Sequence, residues 1–356
     1  MPSFRQSSVV FLMGAGALCM LVVEHVFLPQ FSYRVVHDSR TVVSMSAAGA
    51  EGTQVNVNVD PNIPFQSEKR SNDRSSTRSA PSPGKTLVYR FNGREMQQLH
   101  EFCTWTVHVD CVPLKTTSGE TPIHIHDVVI DKYVSKTIKQ TGSWEPVNVN
   151  LILTELKKDP ELGFMDLGSH VGAFSLSVAK FGRKVVSVDP LIENVQRLCK
   201  SIQKGGFTDR MTILFNPLGF NHSFVNFKRE FGNVGGTSVV ASSGSSTKSP
   251  CEESADSYTI TLDDTLPFLP FKKAVLKMDM QEFEYYVLSG AKRFFHEIEV
   301  PAILMEWVLM KTDVNGEKLV NLLVGMKYSA YAPSIGGAKL DPSQYKTWPY
   351  DVIWKK

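Results

Sequence analysis

The sequence predicts an α/β fold in which helices cover both faces of a seven-stranded, mostly parallel sheet, preceded by a single membrane-spanning helix and a flexible stem. After Gly163, short β-branched runs alternate with helix patterns, which is typical of a parallel sheet. The first 85 residues instead hold one long apolar run and then a polar segment. Residues 86–160 are interpreted as an N-terminal cap and 161–356 as the core.

The N-terminal apolar run spans residues 9–28. Residues 9–23 are uninterrupted by charge, and counting on to Leu28 gives about 20 residues, enough to cross a bilayer as a helix with Glu24 and His25 near the far interface. No small-x-small cleavage site follows closely, which favours a retained signal anchor over a cleaved signal peptide. Arg5, in the short tail 1–8, favours a cytoplasmic N-terminus. The sequence therefore predicts a single-pass type II protein of the Golgi or endoplasmic reticulum membrane, with the rest of the chain in the lumen.

Residues 29–85 are expected to form a disordered stem. Their composition is polar and shows no apolar periodicity over 66–84, so this segment cannot bury enough surface to offset its chain entropy. Anchor, stem and compact domain together are the layout of a membrane-tethered enzyme of the secretory pathway.

The cysteines outside the predicted span are even in number, which suits a compartment that permits disulfides. They are Cys103, Cys111, Cys199 and Cys251. Cys103 with Cys111 is the first pairing to test. The alternative is that all four cysteines are buried free thiols, which the sequence does not distinguish from disulfides. Asn221-His-Ser223 is an acceptor sequon for N-glycosylation.

Overall charge and composition exclude little except a nucleic-acid partner. The hydrophobic content of 42% is ordinary for a globular protein, and the net charge is only +2. Lysines and arginines are scattered, with no basic stripe interleaved with aromatic residues, so we expect no nucleic acid to bind.

The periodicity of the core predicts seven strands and four helices. Strands are predicted near 163–167, 185–189, 211–216, 273–279, 302–307, 328–333 and 350–355. Helices are predicted near 172–181, 192–204, 284–297 and 315–326.

The first strand-helix-strand unit carries the most specific motif. The run from Phe164 ends in Asp166, a glycine turn follows, and the second strand ends in Asp189. Gly168 and Gly172 remove side chains where the backbone must approach a ligand, and the next helix offers its free N–H groups. An acid at the tip of the second strand can accept hydrogen bonds from both ribose hydroxyls. The unit predicts a nucleoside site; glycines as plain turn punctuation are the alternative.

This turn differs from the dinucleotide fingerprint, because an acid opens it as Asp-x-Gly-x-x-x-Gly. A carboxylate suits the sulfonium and amino groups of S-adenosylmethionine and would repel a diphosphate. The pattern therefore favours S-adenosylmethionine over NAD.

The fourth strand carries a second chemical cluster. Lys277 and Asp279 are two residues apart, and so lie on one side of the strand, at the carboxyl end where ligands bind in open α/β sheets. Glu306 ends the neighbouring strand. Two acids at adjacent strand tips can bind a divalent cation, position an acceptor hydroxyl or act as a general base. Lys277 and Asp279 could instead simply neutralise each other.

Two further segments each allow two interpretations. The Gly/Ser-rich stretch over 231–250 cannot be a helix, and is either a loop that covers the site or a disordered insertion.

His124 and His126 share one face of a strand and could begin a metal site. No third ligand stands at suitable spacing. This favours the interpretation that both histidines lie at the surface, so no metal ligands are assigned.

From about Thr141 to Trp354 the chain resembles the FkbM family of S-adenosylmethionine-dependent methyltransferases. The resemblance is carried by Gly142-x-Trp-Glu145, Asp166-Leu-Gly-Ser-His-Val-Gly172, Thr261-Leu-Asp-Asp264, Lys277-Met-Asp-Met-Gln-Glu-Phe-Glu284, Leu288-Ser-Gly-Ala291 and Glu306. With the predicted anchor, it would make the chain a membrane-anchored, animal-type member. The predicted strands also match the class I methyltransferase sheet, a Rossmann-like arrangement whose final strand inserts antiparallel.

The resemblance and the motifs together define a predicted site. The cofactor residues are Glu145, Asp166, Gly168, His170, Gly172, Asp189, Pro190 and Asn216. Asp279 is the first choice for a catalytic base, or for a ligand of a divalent cation that acidifies the hydroxyl, with Glu306 second and Lys277 beside them.

The chain departs from the family pattern at several positions. Gln281 and Glu282 stand where the family usually has Glu-Gly, His170 where it often has Asn, and Asp189 where Glu is frequent. The first departure falls on the acceptor side of the site.

Family relatives methylate hydroxyl oxygens of sugars or polyketide-like small molecules, so the resemblance implies O-methylation. A lumenal member meets glycoproteins and glycolipids, and the prediction is a glycan hydroxyl as acceptor. One alternative is a Golgi glycosyltransferase, which usually shows Asp-x-Asp, whereas this chain has only Asp263-Asp264. The other is a non-catalytic protein that retains the fold, an interpretation encouraged by Gln281 and Glu282.

Overall fold

The computed structural model describes residues 85–104, 109–241 and 257–356, together with the backbone of four short strands nearer the N-terminus. The chain divides into two compact units, which are Met1–Ser79 with Lys248–Glu252, and Ala80–Thr247 with Glu253–Lys356. The predicted tail 1–8 and stem 29–85 lie largely outside the described residues.

The first unit contains two antiparallel strand pairs, β1 (Gln6–Gly14) with β2 (Ala17–His25) and β3 (Arg34–His37) with β4 (Thr41–Ser44). The expected helix over 9–28 is therefore wrong for this structure. An apolar run without periodicity is compatible with either helix or strand, and both halves of this one contain paired valines, which favour strands. In the described parts of the chain, no helix is both long enough and apolar enough to cross a membrane.

The second unit contains the remaining strands. They are β5 (Leu87–Phe91), β6 (Met96–Gln98), β7 (Cys111–Thr116), β8 (Gly119–His124), β9 (Leu162–Leu167), β10 (Val185–Val188), β11 (Met211–Leu214), β12 (Phe224–Glu230), β13 (Asn233–Ala241), β14 (Ser257–Tyr258), β15 (Lys273–Met278), β16 (Glu299–Glu306), β17 (Ser329–Tyr331) and β18 (Asp351–Lys355).

Its helices are α1 (Val134–Thr141), α2 (Pro146–Leu156), α3 (Ala173–Lys180), α4 (Ile192–Gly205), α5 (Leu262–Thr265), α6 (Glu284–Ser289), α7 (Lys292–Glu297) and α8 (Gly316–Gly325). Short 3-10 helices cover Phe102–Thr104, Leu266–Phe268 and Pro342–Thr347. The single helix predicted over 284–297 is thus two helices, separated at Gly290. A Cβ atom at Gly290 would lie 2.8 Å from the Cα of Phe220, so the chain there is packed directly against another backbone.

Nine strands form the main sheet, in the order β17-β18-β16-β15-β9-β10-β11-β5-β6. Strands β15, β9, β10 and β11 are parallel to each other and to β16, whereas β18 runs antiparallel to β16 and β17. The seven strands from β17 to β11 have the order and directions of a class I methyltransferase sheet, so this part of the predicted fold class is confirmed. The segment 86–160, interpreted as a cap, also adds β5 and β6 to the sheet edge.

Alternate residues of the central strands supply two separate cores, since successive side chains point to opposite faces. Phe164 and Val185 pack with the helices α2, α3 and α4 on one face. Met165 and Val186 pack with α6, α7 and α8 on the other. The chain reverses direction across the sheet between β9 and β15, and this switch point is where open α/β sheets form a ligand cleft.

A disulfide joins Cys103 to Cys199, with Cα atoms 5.4 Å apart. It fastens the 3-10 helix at Phe102–Thr104 to α4. The first pairing chosen from the sequence, Cys103 with Cys111, is wrong, because closeness in sequence does not bring two Cα atoms to bridging distance. Cys111 is a free thiol, and Cys251 lies outside the described residues.

A small sheet of β13, β12 and β14 stands beside the main one. Part of the stretch expected to be loop over 231–250 is therefore strand, from Asn233 to Ala241. Valines and a threonine flank the glycines of this stretch, and β-branched residues fit a pleated surface better than a loop. Residues 242–256 lie outside the described part of the chain.

Candidate functional site

A cleft opens at the carboxyl ends of β9, β10 and β15, at the switch point of the sheet. The turn after β9 and the tip of β10 form one side of it, and the tip of β15 forms the other. Val234, Thr237 and Val239 of β13 also line it. Part of the Gly/Ser-rich stretch over 231–250 therefore reaches the cleft, as a strand.

Asp166 lies beneath this cleft and does not line it. Its Oδ2 accepts hydrogen bonds from the Ser175 amide (3.1 Å) and hydroxyl (2.6 Å), and its Oδ1 is 3.8 Å from the Lys277 ammonium. Burial raises the pKa of Asp166, against the opposing effect of Lys277. The residue thus fixes the first turn of α3 to the tip of β9.

The two glycines of the turn serve contacts within the chain. Gly168 has φ of +81°, and a Cβ atom there would lie 1.9 Å from the carbonyl oxygen of Asp279. Gly172 has φ of +87°, and its Cβ would lie 2.3 Å from a methyl carbon of Leu198. Both positions need a left-handed backbone and no side chain. Gly168 in particular lets the tips of β9 and β15 meet, which places Asp279 at the cleft.

Asp189 is buried at the tip of β10, and protein donors hold its carboxylate. Oδ1 accepts from the Leu191 amide (2.9 Å) and the Asn194 side chain (3.0 Å), and Oδ2 accepts from the His170 amide (2.7 Å). A carboxylate offers about four acceptor positions, so Oδ2 keeps one. Burial raises the pKa of Asp189 to about 7. Pro190 lines the cleft beside it.

His170 lies within this turn, has φ of +50° and lines the cleft. Its Nε2 is 3.7 Å from Asp131 Oδ2, and neither ring nitrogen has a hydrogen-bond partner among the described residues. Burial lowers the pKa of His170, which keeps the ring neutral, with one donor and one acceptor. Buried polar atoms without partners beside a cleft indicate a place for a ligand.

His124, the last residue of β8, and His126, two residues later, are both buried, so the interpretation as surface histidines is wrong. His126 Nε2 lies 2.7 Å from Asn194 Oδ1, and His124 Nδ1 lies 3.3 Å from Ser201 Oγ. Burial lowers the pKa of His126 to about 3 and that of His124 to about 4. Among the residues that the structure describes, no cluster of His, Cys, Asp and Glu could hold a metal ion.

Asn194 is a site residue that sequence reasoning missed. Its amide links the buried ring of His126 to the carboxylate of Asp189, and so fixes the orientation of that carboxylate. An asparagine inside a helix gives no signal of such a role in sequence.

Asn216 borders the cleft, but its side chain is fully used within the protein. Its Oδ1 accepts from the Phe91 amide (2.7 Å), and its amide group donates to the carbonyl oxygens of Phe91 (3.1 Å) and Tyr258 (2.9 Å). The side chain fixes β5 and β14 against the end of β11.

Glu145 stands at the start of α2, with φ of +41°, and does not line the cleft. Its Oε2 accepts from the side chain of Asn148 (2.9 Å), which also donates to Asp351 (2.9 Å). Burial raises the pKa of both acids. Lys277 lies close enough to oppose the shift at each.

Lys277 is the buried cation of this group. Its ammonium donates to the carbonyl oxygen of Gly168 (3.0 Å) and to Asp279 Oδ2 (3.2 Å), and lies 5.4 Å from the ring centre of Phe174. Burial lowers its pKa, but the carboxylates of Asp279, Asp166 and Glu145 outweigh burial and raise it. The lysine therefore stays charged and holds one oxygen of Asp279.

Asp279 and Glu306 are brought together through a third side chain. The amide nitrogen of Gln281 lies 2.9 Å from Asp279 Oδ1 and 3.2 Å from Glu306 Oε2. Burial and the charge of Asp279 raise the pKa of Glu306 to about 8. At neutral pH Glu306 is therefore largely protonated, while Asp279, a third exposed, faces the cleft.

The turn after β15 has an unusual backbone. Gln281 and Glu282 have φ of +52° and +75°, a region that residues other than glycine rarely adopt. Buried Glu284 closes the turn, since its Oε1 accepts from the Met280 amide at 2.8 Å. Burial raises the pKa of Glu284 to about 7. Gln281 and Glu284 both belong to the site motif, but only the structure shows what they contact.

No family model matches the chain, and no curated protein matches it. Solved structures with the same kind of fold do match. An O-methyltransferase from Bacillus cereus in complex with SAH has a TM-score of 0.37 and 10% identity, over 65% of this chain and 90% of that one. A SAM-dependent O-methyltransferase from Thermotoga maritima has a TM-score of 0.32 and 11% identity, over 78% of this chain and 94% of that one.

An rRNA methylase from Streptococcus thermophilus has a TM-score of 0.31 and 11% identity, over 64% of this chain and 98% of that one. These identities and scores are too low to support a function. The strand order of this chain, with β18 as the one antiparallel strand of the seven from β17 to β11, is what assigns it the class I methyltransferase fold.

Proposed function

We propose that the chain is an S-adenosylmethionine-dependent O-methyltransferase of the FkbM type, with a hydroxyl of a glycan as acceptor. One observation carries the proposal. Across the switch point of a class I methyltransferase sheet, Asp189 keeps one acceptor position on Oδ2 at the tip of β10, and Asp279 presents a carboxylate to the same cleft.

The residues present fit the methyl donor. Asp189 has an acceptor position for a ribose hydroxyl. The neutral ring of His170 and the buried hydroxyl of Ser169 both border the cleft without a hydrogen-bond partner among the described residues, and both suit polar groups of a nucleoside or an amino acid. Carboxylates outnumber cations around the turn, which disfavours a diphosphate.

Bound in this cleft, S-adenosylmethionine would supply an electrophilic methyl group for the acceptor oxygen, with a neutral thioether as the leaving group. Asp279 accepts the proton of the acceptor hydroxyl, which becomes a better nucleophile. Lys277 holds Oδ2 of Asp279, so the carboxylate keeps a fixed orientation. General-base assistance of this kind contributes about 10²–10⁴ in rate.

Calorimetry of the protein with S-adenosylmethionine and, separately, with a nucleotide sugar tests the cofactor. We expect binding of S-adenosylmethionine alone, weakened about 10- to 100-fold in Asp189→Asn, since a hydrogen bond to a charged group contributes about 1.5–3 kcal/mol. Asp209→Asn, at an exposed acid far from the cleft lining, serves as the matched control. Preference for the nucleotide sugar would instead favour a glycosyltransferase.

The acceptor is tested with isotope-labelled donor and a pool of released glycans, followed by mass analysis of the products. We expect a gain of one methyl group on a sugar hydroxyl. Donor binding without transfer to any glycan or small-molecule hydroxyl would favour a non-catalytic protein with this fold.

We also propose the lumen of the Golgi or endoplasmic reticulum as the location. The Cys103–Cys199 disulfide suits an oxidising compartment. Asn221 of the sequon is exposed, and its Oδ1 accepts from the Ser223 hydroxyl at 2.7 Å. An endoglycosidase-sensitive mass shift that Asn221→Gln removes would support this location, and an unmodified, fully reduced protein in cells would contradict it.

A further inference from the structure

Gln281 occupies the space between the two acids at the tips of β15 and β16. Its single amide NH₂ group lies within hydrogen-bond distance of Asp279 Oδ1 (2.9 Å) and Glu306 Oε2 (3.2 Å). An amide nitrogen carries two N–H groups, so one can be donated to each acid. The side chain therefore joins the two acids without adding a charge.

The backbone is held in a strained conformation at this point. Gln281 and Glu282 both have positive φ, a conformation that persists only where the surrounding structure enforces it, and such strain clusters at functional sites. Buried Glu284 supplies the restraint through the Met280 amide. The turn that results directs Gln281 back onto the strand tips.

With Gln281 in place, both oxygens of Asp279 have a donor. Lys277 takes Oδ2 at 3.2 Å and Gln281 takes Oδ1 at 2.9 Å. Without that amide, the two acids at neighbouring strand tips would offer oxygen ligands that suit a divalent cation. The amide nitrogen occupies the position between Asp279 and Glu306 that such a cation would take.

We propose that Gln281 is a positioning residue that holds Asp279 and Glu306 together in place of a divalent cation, so that Asp279 removes the acceptor proton without a metal. This inference rests on the proposed methyl transfer. It assigns Gln281, which departs from the family pattern, a role specific to this chain. The proton of the acceptor hydroxyl passes to Asp279, and no other reactant is required.

The first test uses Mn²⁺ alone as a probe, followed by electron paramagnetic resonance, in the wild type, Gln281→Glu and Gln281→Met. Gln281→Glu adds a third carboxylate between the two acids, and we expect it to bind Mn²⁺ at least tenfold more tightly than the wild type. Gln281→Met has similar length without donors, and we expect no gain. A wild type that binds as tightly as Gln281→Glu, or a Gln281→Glu variant that gains nothing, would overturn the proposal.

The second test separates positioning from binding. We expect Gln281→Met to lower kcat for methyl transfer about tenfold or more, while the KM for S-adenosylmethionine stays within about threefold. Wild-type transfer should be unaffected by a chelator; its loss would contradict the inference. Gln344→Met, at an exposed glutamine, is the control for the substitution itself. The Mn²⁺ comparison needs no turnover, so it decides whether Gln281 takes the place of a cation even if no glycan is methylated and the proposed function fails.

Discussion

The two sides of the cleft are built differently. On the β9 and β10 side, buried Asp166 and Asp189 receive most of their hydrogen bonds from backbone amides and short side chains of the scaffold. On the β15 and β16 side, Asp279 and Glu306 share the amide of Gln281, Lys277 donates to Asp279 alone, and the pKa of Glu306 rises to about 8.

The difference separates binding from reaction. A carboxylate held by several donors has a fixed position and can recognise a ligand group without rearranging. A carboxylate that stays partly exposed, next to a protonated neighbour, keeps the capacity to exchange a proton. We therefore expect substitutions on the two sides to affect different measurements.

The largest effect is expected from Asp279→Asn. The amide cannot accept the acceptor proton, so kcat should fall by about 10²–10⁴ while S-adenosylmethionine affinity stays within about threefold. Labelled transfer to the glycan pool gives the first quantity and calorimetry the second. Glu282→Gln, at an exposed acid of the same turn, should change neither. Equal loss of binding and turnover in Asp279→Asn would remove the distinction between the two sides.

The Cys103–Cys199 disulfide provides a test on the β9 and β10 side of the cleft. It closes a loop of 96 residues and anchors α4, the helix that carries Asn194. Cys199→Ser should lower the free energy of unfolding by about 2–5 kcal/mol, because the unfolded chain regains entropy, and should weaken cofactor binding. Chemical denaturation measures the first effect. Cys111→Ser, at the free thiol, should stay within about 0.5 kcal/mol of the wild type. An unchanged free energy of unfolding in Cys199→Ser would show that the disulfide does not stabilise the β9 and β10 side of the cleft.

The sequence predicted the main sheet well, and the reason is physical. The strands predicted at 163–167 and 185–189 are short runs, apolar in the first and β-branched in the second, that end at an acid or a glycine turn, and helices of clear periodicity follow them. Their order followed from the resemblance to a known sheet. The glycines of the first turn were also identified, although their contacts turned out to be Asp279 and Leu198.

The rest depended on contacts between residues far apart in the chain. Nothing local shows that Cys103 reaches Cys199, that His126 is buried against Asn194, or that Gln281 lies between two acids. The apolar run over 9–28 lacked periodicity, so length alone decided for a helix. The sequence showed only that Gln281 stands where the family pattern has Glu. The structure shows that its amide lies between Asp279 and Glu306.

The pH dependence of stability tests the turn on the reactive side. Burial raises the pKa of Glu284 to about 7, above its value in the unfolded chain, so the folded state binds the extra proton. The stabilising effect of that proton is complete below about pH 4.5 and is lost as the pH rises through about 7. Glu284→Gln keeps an oxygen for the Met280 amide and cannot ionise.

We expect Glu284→Gln to be more stable than the wild type at pH 8 by roughly 3 kcal/mol, with the difference vanishing near pH 4.5. Denaturation at a series of pH values measures it. Glu161→Gln, at an exposed acid near the amino end of β9, is the control. A difference between Glu284→Gln and the wild type that is independent of pH would mean that Glu284 does not titrate in this range.

The contact that joins the two sides gives the smallest expected effect. Ala at Gly168 would suffer both the left-handed backbone and a clash with the Asp279 carbonyl oxygen, whereas Ala at Gly206, with φ of +74° and no atom within 4 Å of its Cβ, would suffer the backbone strain alone.

Left-handed strain costs about 1–2 kcal/mol in either variant. The clash should therefore appear as an additional loss of roughly 1–3 kcal/mol in Gly168→Ala. Denaturation of both variants measures this difference, and calorimetry with S-adenosylmethionine should show weaker binding in Gly168→Ala only. Equal losses in the two variants would mean that the tips of β9 and β15 can separate freely, in which case the position of Asp279 does not depend on the glycine turn.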